Sequence, residues 1–228
     1  PPLEDVTTEP PMPQEVLDKI DMTHLTSEQK SDLTELCRSH SKAFSHHDYD
    51  LGLLSNGFEA VIQLNGPLPT PDRRRIYPRD KAEKAAEIIQ HMLDADVIRP
   101  SMSHFASCLH LVKKADGGVR VTVDSRRINS ATFHIQSSSY NSEQILQNFS
   151  QKPFRSTFDL TSSFHQLALS PSSQWMTTFY HPTKINQCYA YKRIPQGFKN
   201  SSVSLINGLY SALGDLDFIY LYVDAKRV

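Results

Sequence analysis

Two acidic residues, Asp159 and Asp224, each follow a run of β-branched, aromatic or aliphatic residues. The second run, Phe218 to Val223, is too short to cross a bilayer and is typical of a buried strand. Carboxylates at neighbouring strand ends can together hold hard divalent cations, as two-metal sites do. An Asp at a strand end is more often a turn former, so neither residue alone indicates a metal site.

The segment between these two residues predicts a turn followed by a helix. Ile194 to Asn200 reads IPQGFKN, and the apolar residues after it recur at helical spacing until Gly214. The residues that set this spacing are Leu205, Ile206, Leu209 and Leu213. A turn rich in Pro and Gly would place Gln196 at an exposed position, where it either caps the helix or contacts a ligand.

Upstream, the pattern alternates between helices and short strands. A capping box at Thr26 to Gln29 predicts a helix over about 27–43, and an alanine-rich stripe predicts another from Asp80 to Asp94. A hairpin is predicted from two β-branched runs, Leu109 to Lys113 and Val119 to Val123, around the turn Asp116-Gly117-Gly118. Further expected elements are a strand from Phe58 to Leu64, a helix from Glu143 to Phe149, and a hairpin of Trp175 to Tyr180 with Cys188 to Ile194.

Composition and charge distribution bound the class of protein. The 228 residues, 39% of them hydrophobic, can bury a sizeable core in one large or two small domains. Residues 1–70 hold 4 basic and 12 acidic groups, whereas residues 71–130 hold 12 and 8. The first part reads as a proline-rich leader and an acidic arm, which either screens a nucleic-acid surface or is simply solvated.

The cysteine pattern predicts an intracellular protein. Cys37, Cys108 and Cys188 are far apart and odd in number, which argues against a disulfide framework and for a reducing compartment, the cytoplasm or nucleus. None of them lies in a CxxC pair, and no apolar segment is long enough to predict a signal or a membrane span.

Several motifs, in a fixed order, resemble the reverse transcriptases of long-terminal-repeat retrotransposons and retroviruses. They are VIRPS from Val97, VKKADGGVR from Val112, VDSRRIN from Val123, the DLxSxFHQ string from Asp159, IPQGFKN from Ile194, and YVD at Tyr222. Ordered motifs are far more specific than any single one. Together they cover about residues 44–224.

The resemblance implies an α+β fold, with reverse-transcriptase-like fingers and a truncated palm behind an N-terminal helical arm. We expect an acidic arm over 1–70, fingers over 71–133 and 166–194, and a palm over 134–165 and 195–228. In the family Mg²⁺ is held by palm carboxylates, here Asp159 and Asp224. The arm is equally consistent with an amphipathic helix that docks a partner.

The resemblance also implies residues that contact nucleotide and template. Lys114 and Arg120 of the hairpin would reach the triphosphate, Phe164 would pack under the sugar and exclude a 2′-hydroxyl, and Gln196 would contact nucleotide and template. The run of Arg73, Arg74 and Arg75 would contact phosphates, although such a run is more often a solvated turn.

One departure from the family bears on activity. The YxDD motif reads Tyr222-Val223-Asp224-Ala225, so Ala225 replaces a metal-binding carboxylate, and the chain ends at Val228. We therefore expect the thumb and RNase H regions to be absent, and no cofactor to be retained. The expectation is a catalytically inactive domain retained as a protein- or nucleic-acid-binding or regulatory module; the alternative is a fragment of an RNA-directed DNA polymerase.

The expected partners follow from these features. Weak, non-specific binding of RNA or DNA is expected from the basic surface, and no membrane contact. The strand predicted over 218–223 would leave an open edge, so a protein partner or a second copy is expected to cover it.

Overall fold

The computed structural model describes residues 12–115, 117–136 and 142–222. The chain divides after Asp50 into two compact units. Within the described residues, no helix combines the length and the apolar character needed to cross a bilayer. Asp116, Asp224 and Ala225 lie outside the described residues.

The first unit contains two α-helices, α1 (Gln14–Leu17) and α2 (Ser27–Ser39), and a 3₁₀ turn over Ser41–Ala43. The predicted capping box is confirmed. The Gln29 N–H donates to the Thr26 hydroxyl at 3.3 Å, and the Thr26 N–H donates to the Gln29 side chain at 3.0 Å. A small core of Met12, Leu17 and Cys37 lies inside this unit.

The second unit mixes short strands and helices. Its strands are β1 (Glu59–Ala60), β2 (Ile98–Pro100), β3 (Leu109–Lys113), β4 (Val119–Val123), β5 (Ala168–Leu169), β6 (Phe179–Tyr180) and β7 (Cys188–Tyr191). Its helices are α3 (Arg79–Asp94), α4 (Arg126–Ala131), α5 (Ser142–Ser150), α6 (Pro171–Gln174) and α7 (Ser201–Leu213). The helices expected over 80–94, 143–149 and around Leu205 are thus confirmed.

The hairpin of β3 and β4 has the predicted boundaries. The strands are antiparallel, with Lys113 opposite Val119 at the turn and Leu109 opposite Val123 at the base. Gly117 adopts a φ of 81°, a left-handed conformation that glycine reaches without the steric cost of a Cβ. The turn residues therefore set the register here.

A three-stranded antiparallel sheet has the order β2, β7, β6. The second hairpin is shorter than predicted, because Trp175–Thr177 forms a 3₁₀ turn rather than a strand. The hydroxyls of Thr177 and Thr178 donate to the carbonyls of Gln174 and Trp175 at 2.6 and 2.8 Å. Such local bonds compete with strand pairing.

One core cluster of the second unit forms where β1 and β5 pair in parallel and α7 packs against β1. It comprises Ala60, Leu167, Leu169, Ile194 and Leu205. The strand predicted over Phe58 to Leu64 is reduced to β1, since its partner β5 is itself two residues long. The Ile62 N–H donates instead to the Ser173 hydroxyl at 2.9 Å.

The strands predicted before Asp159 and Asp224 do not form in the residues that the structure describes, so this prediction is wrong there. Residues 155–160 have no regular structure and are exposed, including Asp159. Residues 218–222 likewise form no strand, and Phe218 and Tyr222 are 70% and 63% exposed. A strand is stabilised by a neighbour that pairs with its backbone groups, and no described segment pairs with either run. Over its described part, the edge predicted for 218–223 is therefore an irregular apolar segment, exposed at Phe218 and Tyr222 and half-buried between them.

Candidate nucleic-acid interface

The hairpin and the IPQG turn meet through a direct contact between Arg120 and Gln196. The Arg120 guanidinium donates to the Gln196 side-chain oxygen at 2.9 Å. Both side chains are exposed, so the pair lies at the surface where a ligand can reach it. Two of the four residues predicted to contact nucleotide are thus adjacent, although they are 76 positions apart in the sequence.

The tip of the hairpin carries Lys114, whose side chain is exposed. The Lys114 N–H donates to the Gly118 carbonyl at 2.8 Å and closes the turn. From α3, the Lys84 ammonium donates to the Gly117 carbonyl at 2.9 Å. The turn is therefore fastened both across the hairpin and to the neighbouring helix.

The base of the hairpin is fixed by Tyr77. Its hydroxyl accepts from the Leu109 N–H and donates to the Leu109 carbonyl, each at 2.8 Å. Burial raises the pKa of Tyr77 to about 12, so the hydroxyl keeps its proton at neutral pH. It thereby satisfies the backbone groups of Leu109 that point away from β4.

The turn that carries Gln196 is held by side chains from α4 and the residue before it. Gly197 has a φ of 93°, and its carbonyl accepts from the Ser125 hydroxyl at 2.7 Å and from the Asn129 amide at 2.9 Å. The Asn129 side-chain oxygen in turn accepts from the Lys199 N–H at 2.9 Å. Sequence reasoning assigned no role to Ser125 or Asn129. A signal was present in the spacing, since two short polar residues four positions apart share one face of a helix.

Beside the hairpin lies a concave surface that encloses about 360 Å³ and is rich in paired charged side chains. It is lined by Asp72, Arg75, Asp124, Arg126, Arg127 and Ser130. Arg126 contacts both oxygens of Asp124, at 2.8 and 2.7 Å, and holds the pKa of that carboxyl below its usual range. Arg127 pairs with Asp72 at 2.7 Å. Sequence reasoning missed this group, because Asp72 and Arg75 are far in the sequence from the other four residues.

The three consecutive arginines have different environments. Arg74 donates to the carbonyls of His181, Lys184 and Ile185 at 2.5 to 2.7 Å, and its guanidinium lies over the Tyr180 ring. These contacts fasten the loop between β6 and β7. Arg73 and Arg75 are exposed, and Arg75 faces the concave surface.

The remaining predicted site residues are Phe164, Asp159 and Asp224. Phe164 lies in a 3₁₀ turn (Ser163–Gln166) and packs, half-buried, against the core cluster. Asp159 is exposed. Among the described residues, no group of three His, Cys, Asp or Glu side chains could hold a metal ion. Mg²⁺ is commonly held by one or two carboxylates and substrate phosphates, so Asp159 fits as a single ligand, and Asp224 is outside the described residues.

A family model and curated relatives match this chain. The model for reverse transcriptase (RNA-dependent DNA polymerase) matches residues 112–225, half of the chain. The Pro-Pol polyprotein of simian foamy virus type 3 is 27% identical over 206 residues, which are 89% of this chain and 17% of the polyprotein. The Pol polyprotein of the Drosophila melanogaster transposon 412 is 24% identical over 204 residues, 86% of this chain and 16% of the relative. The chain therefore spans less than a fifth of the length of these relatives.

Solved structures share the fold. The prototype foamy virus protease-reverse transcriptase aligns with a TM-score of 0.78 at 23% identity, over 92% of this chain and 27% of that one. A foamy viral protease-reverse transcriptase in complex with an RNA/DNA hybrid aligns with a TM-score of 0.79 at 23% identity, over 92% and 28%. The expected α+β fold of fingers and palm is thus confirmed, and the motif order, the hairpin and the matching model together show that the chain belongs to the reverse transcriptase family, as a domain of long-terminal-repeat retroelement origin.

Proposed function

We propose that this chain is a nucleic-acid-binding reverse-transcriptase-like domain whose nucleotide addition is lost. The observation that carries the binding part is the contact between Arg120 and Gln196 at 2.9 Å. It supports a preformed surface that joins the hairpin to the IPQG turn. Foamy viral relatives of the same fold have been solved with an RNA/DNA hybrid and with double-stranded DNA.

The charge distribution supports phosphate contact at this surface. Residues 71–130, which include the hairpin, hold 12 basic and 8 acidic groups. Lys114 and Arg120 are exposed, and a cation that neutralises a phosphate releases condensed counterions. The expected ligand is therefore a duplex or hybrid, bound with little sequence preference and with steep salt dependence.

The impairment rests on residue 225. Ala225 stands where the family has a second consecutive Asp, so one carboxylate that would help to hold the charge-neutralising Mg²⁺ ions is missing. Losing one preorganised electrostatic partner typically costs about 10²- to 10³-fold in rate. The alternative is a polymerase in which the carboxylates of Asp159 and Asp224 hold Mg²⁺ for two-metal nucleotidyl transfer. The residues that would then contact the nucleotide are Lys114, Arg120, Phe164 and Gln196.

Binding is tested by fluorescence anisotropy with a labelled RNA/DNA hybrid between about 50 and 200 mM salt. Replacing Lys114 and Arg120 by Ala should weaken binding and lower the slope of log affinity against log salt by about 2. The matched control replaces Lys19 and Lys30, two exposed lysines of the first unit, and should leave the slope nearly unchanged. Binding that is independent of salt, or equal in both double variants, would contradict the proposed surface.

Nucleotide addition is tested by primer extension with Mg²⁺ or Mn²⁺ on RNA and DNA templates. We expect no incorporation above the level of an Asp159→Ala variant. Incorporation that disappears in Asp159→Ala would favour the polymerase alternative over an inactive binding domain.

We also propose that the apolar segment at 218–222, which is exposed at its two ends, mediates association with a second copy of this chain. Phe218 is 70% exposed and Tyr222 63%, and both lie in a segment that forms no strand. Exposed aromatic side chains of this kind mark interaction sites more often than isolated surface residues do.

A further inference from the structure

We propose that Asn129 is a positioning residue that sets the conformation of the IPQG turn and, through it, the position of Gln196. The proposal deepens the binding function proposed above, because it matters for a ligand only where Gln196 contacts that ligand. It rests on the hydrogen bonds that Asn129 and Ser125 make with the backbone of Gly197 and Lys199, a set that we call the bracket.

Two bonds of the bracket are made by a single carboxamide. The Asn129 amide nitrogen donates to the Gly197 carbonyl and its oxygen accepts from the Lys199 N–H, both at 2.9 Å. One planar side chain thus pairs with backbone groups two residues apart, as a neighbouring strand would. The Ser125 hydroxyl gives the Gly197 carbonyl a second donor at 2.7 Å, and the Asn129 amide also donates to that hydroxyl at 3.1 Å.

The bracket is effective because α4 is itself anchored. Ile128 is fully buried, and Arg127 pairs with Asp72 at 2.7 Å and donates to the Thr70 hydroxyl at 2.9 Å. Inside the helix, the Asn129 N–H donates to the Ser125 carbonyl at 2.8 Å. Asn129 therefore projects from a helix that is fixed on its buried face and on its charged face.

Gln196 lies between two restrained neighbours. Pro195 precedes it with a buried ring and a φ fixed by that ring, and Gly197 follows it in the left-handed region with a bracketed carbonyl. The direction of the Gln196 side chain is then set by its own torsions and by the contact with Arg120. Releasing the bracket allows Gly197 many more backbone conformations, since glycine is the least restricted residue.

The first test follows the side-chain amide of Gln196 in ¹H–¹⁵N spectra, assigned by its loss in Gln196→Ala. In Arg120→Ala this resonance should shift from its wild-type position, because Arg120 donates to the same carboxamide. Asn129→Ala should move it in the same direction. Asn207→Ala, at an exposed position of α7, is the matched control and should leave it in place. An unchanged Gln196 resonance in Asn129→Ala would overturn the proposal.

The second test is a double-mutant cycle on hybrid binding. Asn129→Ala should weaken binding by about 2- to 10-fold, the range of one net hydrogen bond, and should add no further loss in a Gln196→Ala background. Equal losses in both backgrounds would mean that Asn129 acts independently of Gln196, which contradicts a positioning role. If the wild-type chain binds no hybrid, the proposed function fails, whereas the spectroscopic test still decides the role of Asn129.

Two milder variants guard against misfolding. Asn129→Asp keeps an oxygen for the Lys199 N–H but removes the donor to Gly197, so its Gln196 resonance should shift toward that of Asn129→Ala. Ser125→Ala leaves the Asn129 donor in place and should give a smaller shift. The reverse order of these two shifts would assign the positioning role to Ser125 instead.

Discussion

At the scale of single residues, His165 shows how burial makes a side chain sensitive to pH. Its ring stacks 5.9 Å from that of Tyr191, and its carbonyl accepts from Arg193 at 2.9 Å. Burial, and to a lesser degree the Arg193 charge, lowers the pKa of His165 from the ordinary 6.5 to about 4. The folded chain therefore keeps this ring neutral under conditions that protonate it in the unfolded chain.

The stability of the folded chain should therefore depend on pH. Between pH 6.5 and about 4 the unfolded state binds a proton that the folded state does not, so the free energy of unfolding should fall as the pH falls. A shift of this size corresponds to a loss of about 3 kcal/mol across the window. Urea unfolding at pH 7, 5.5 and 4.5 measures it.

The matched variant is His165→Phe, which keeps a ring against Tyr191 and cannot titrate. Its stability should decline less steeply over the same window. The remaining slope should come mainly from His181, whose pKa is also lowered in the fold. Identical slopes for the wild type and His165→Phe would show that the His165 ring is accessible to protons in the folded chain.

Some residues of the candidate site can be identified from sequence motifs, whereas others can be identified only from the fold. Arg120 and Gln196 follow from the resemblance, and the structure brings them within 2.9 Å. Asn129 and the pair of Arg127 with Asp72 act through contacts between distant segments. Such contacts depend on how α4 packs, and periodicity in one segment carries no information about packing between segments.

At the scale of elements, local chemistry decided which predictions hold. The hairpin of β3 and β4 matched its predicted boundaries because β-branched strands and a Gly-Gly turn specify the same register. The run from Phe218 is as apolar as β3, yet its described residues form no strand. A strand depends on a neighbour to pair with, and apolar character alone does not provide one.

Helix α7 packs closely because of Gly208. A Cβ at this position would lie 2.5 Å from the Leu167 side chain, 3.1 Å from that of Phe58 and 3.3 Å from that of Leu54. All three belong to the core cluster or pack against it. The missing side chain therefore lets the helix approach the segments that precede β1 and β5.

In Gly208→Ala, the overpacked Cβ should cost about 1 to 3 kcal/mol of stability, whereas the higher helix propensity of alanine should return about 1 kcal/mol. The net change in the free energy of unfolding should therefore lie between zero and a loss of about 2 kcal/mol. Gly208→Val should cost more. Gly66→Ala, where an added Cβ meets nothing within 4 Å, is the control and should change stability little. Thermal unfolding compares the three variants. A clear gain in stability for Gly208→Val would contradict close packing at this site.

At the scale of the whole molecule, each unit has a hydrophobic cluster of its own, and the second unit contains the hairpin and the IPQG turn on which the family resemblance rests. The hairpin, α4 and the IPQG turn are bonded to one another. Four of the most exposed aromatic side chains, those of Phe154, Phe158, Phe218 and Tyr222, lie elsewhere in the sequence. The surface proposed for nucleic acid is thus polar and internally bonded, whereas the segment proposed for association is apolar.

The last prediction concerns that apolar segment. If it associates with a second copy, the chain should show a concentration-dependent increase in mass by sedimentation velocity, and replacing Phe218 and Tyr222 by Ser should shift it toward the monomer. The matched control for lost apolar surface replaces Ile76 and Met102 by Ser. These two residues are 95% and 101% exposed in other parts of the second unit, and their replacement should leave the association unchanged. Since aromatic side chains that become buried on association contribute most of the affinity of small interfaces, two substitutions should be sufficient. A wild-type chain that stays monomeric at high concentration would exclude self-association, and dissociation that is equal in both double variants would place the contact outside 218–222.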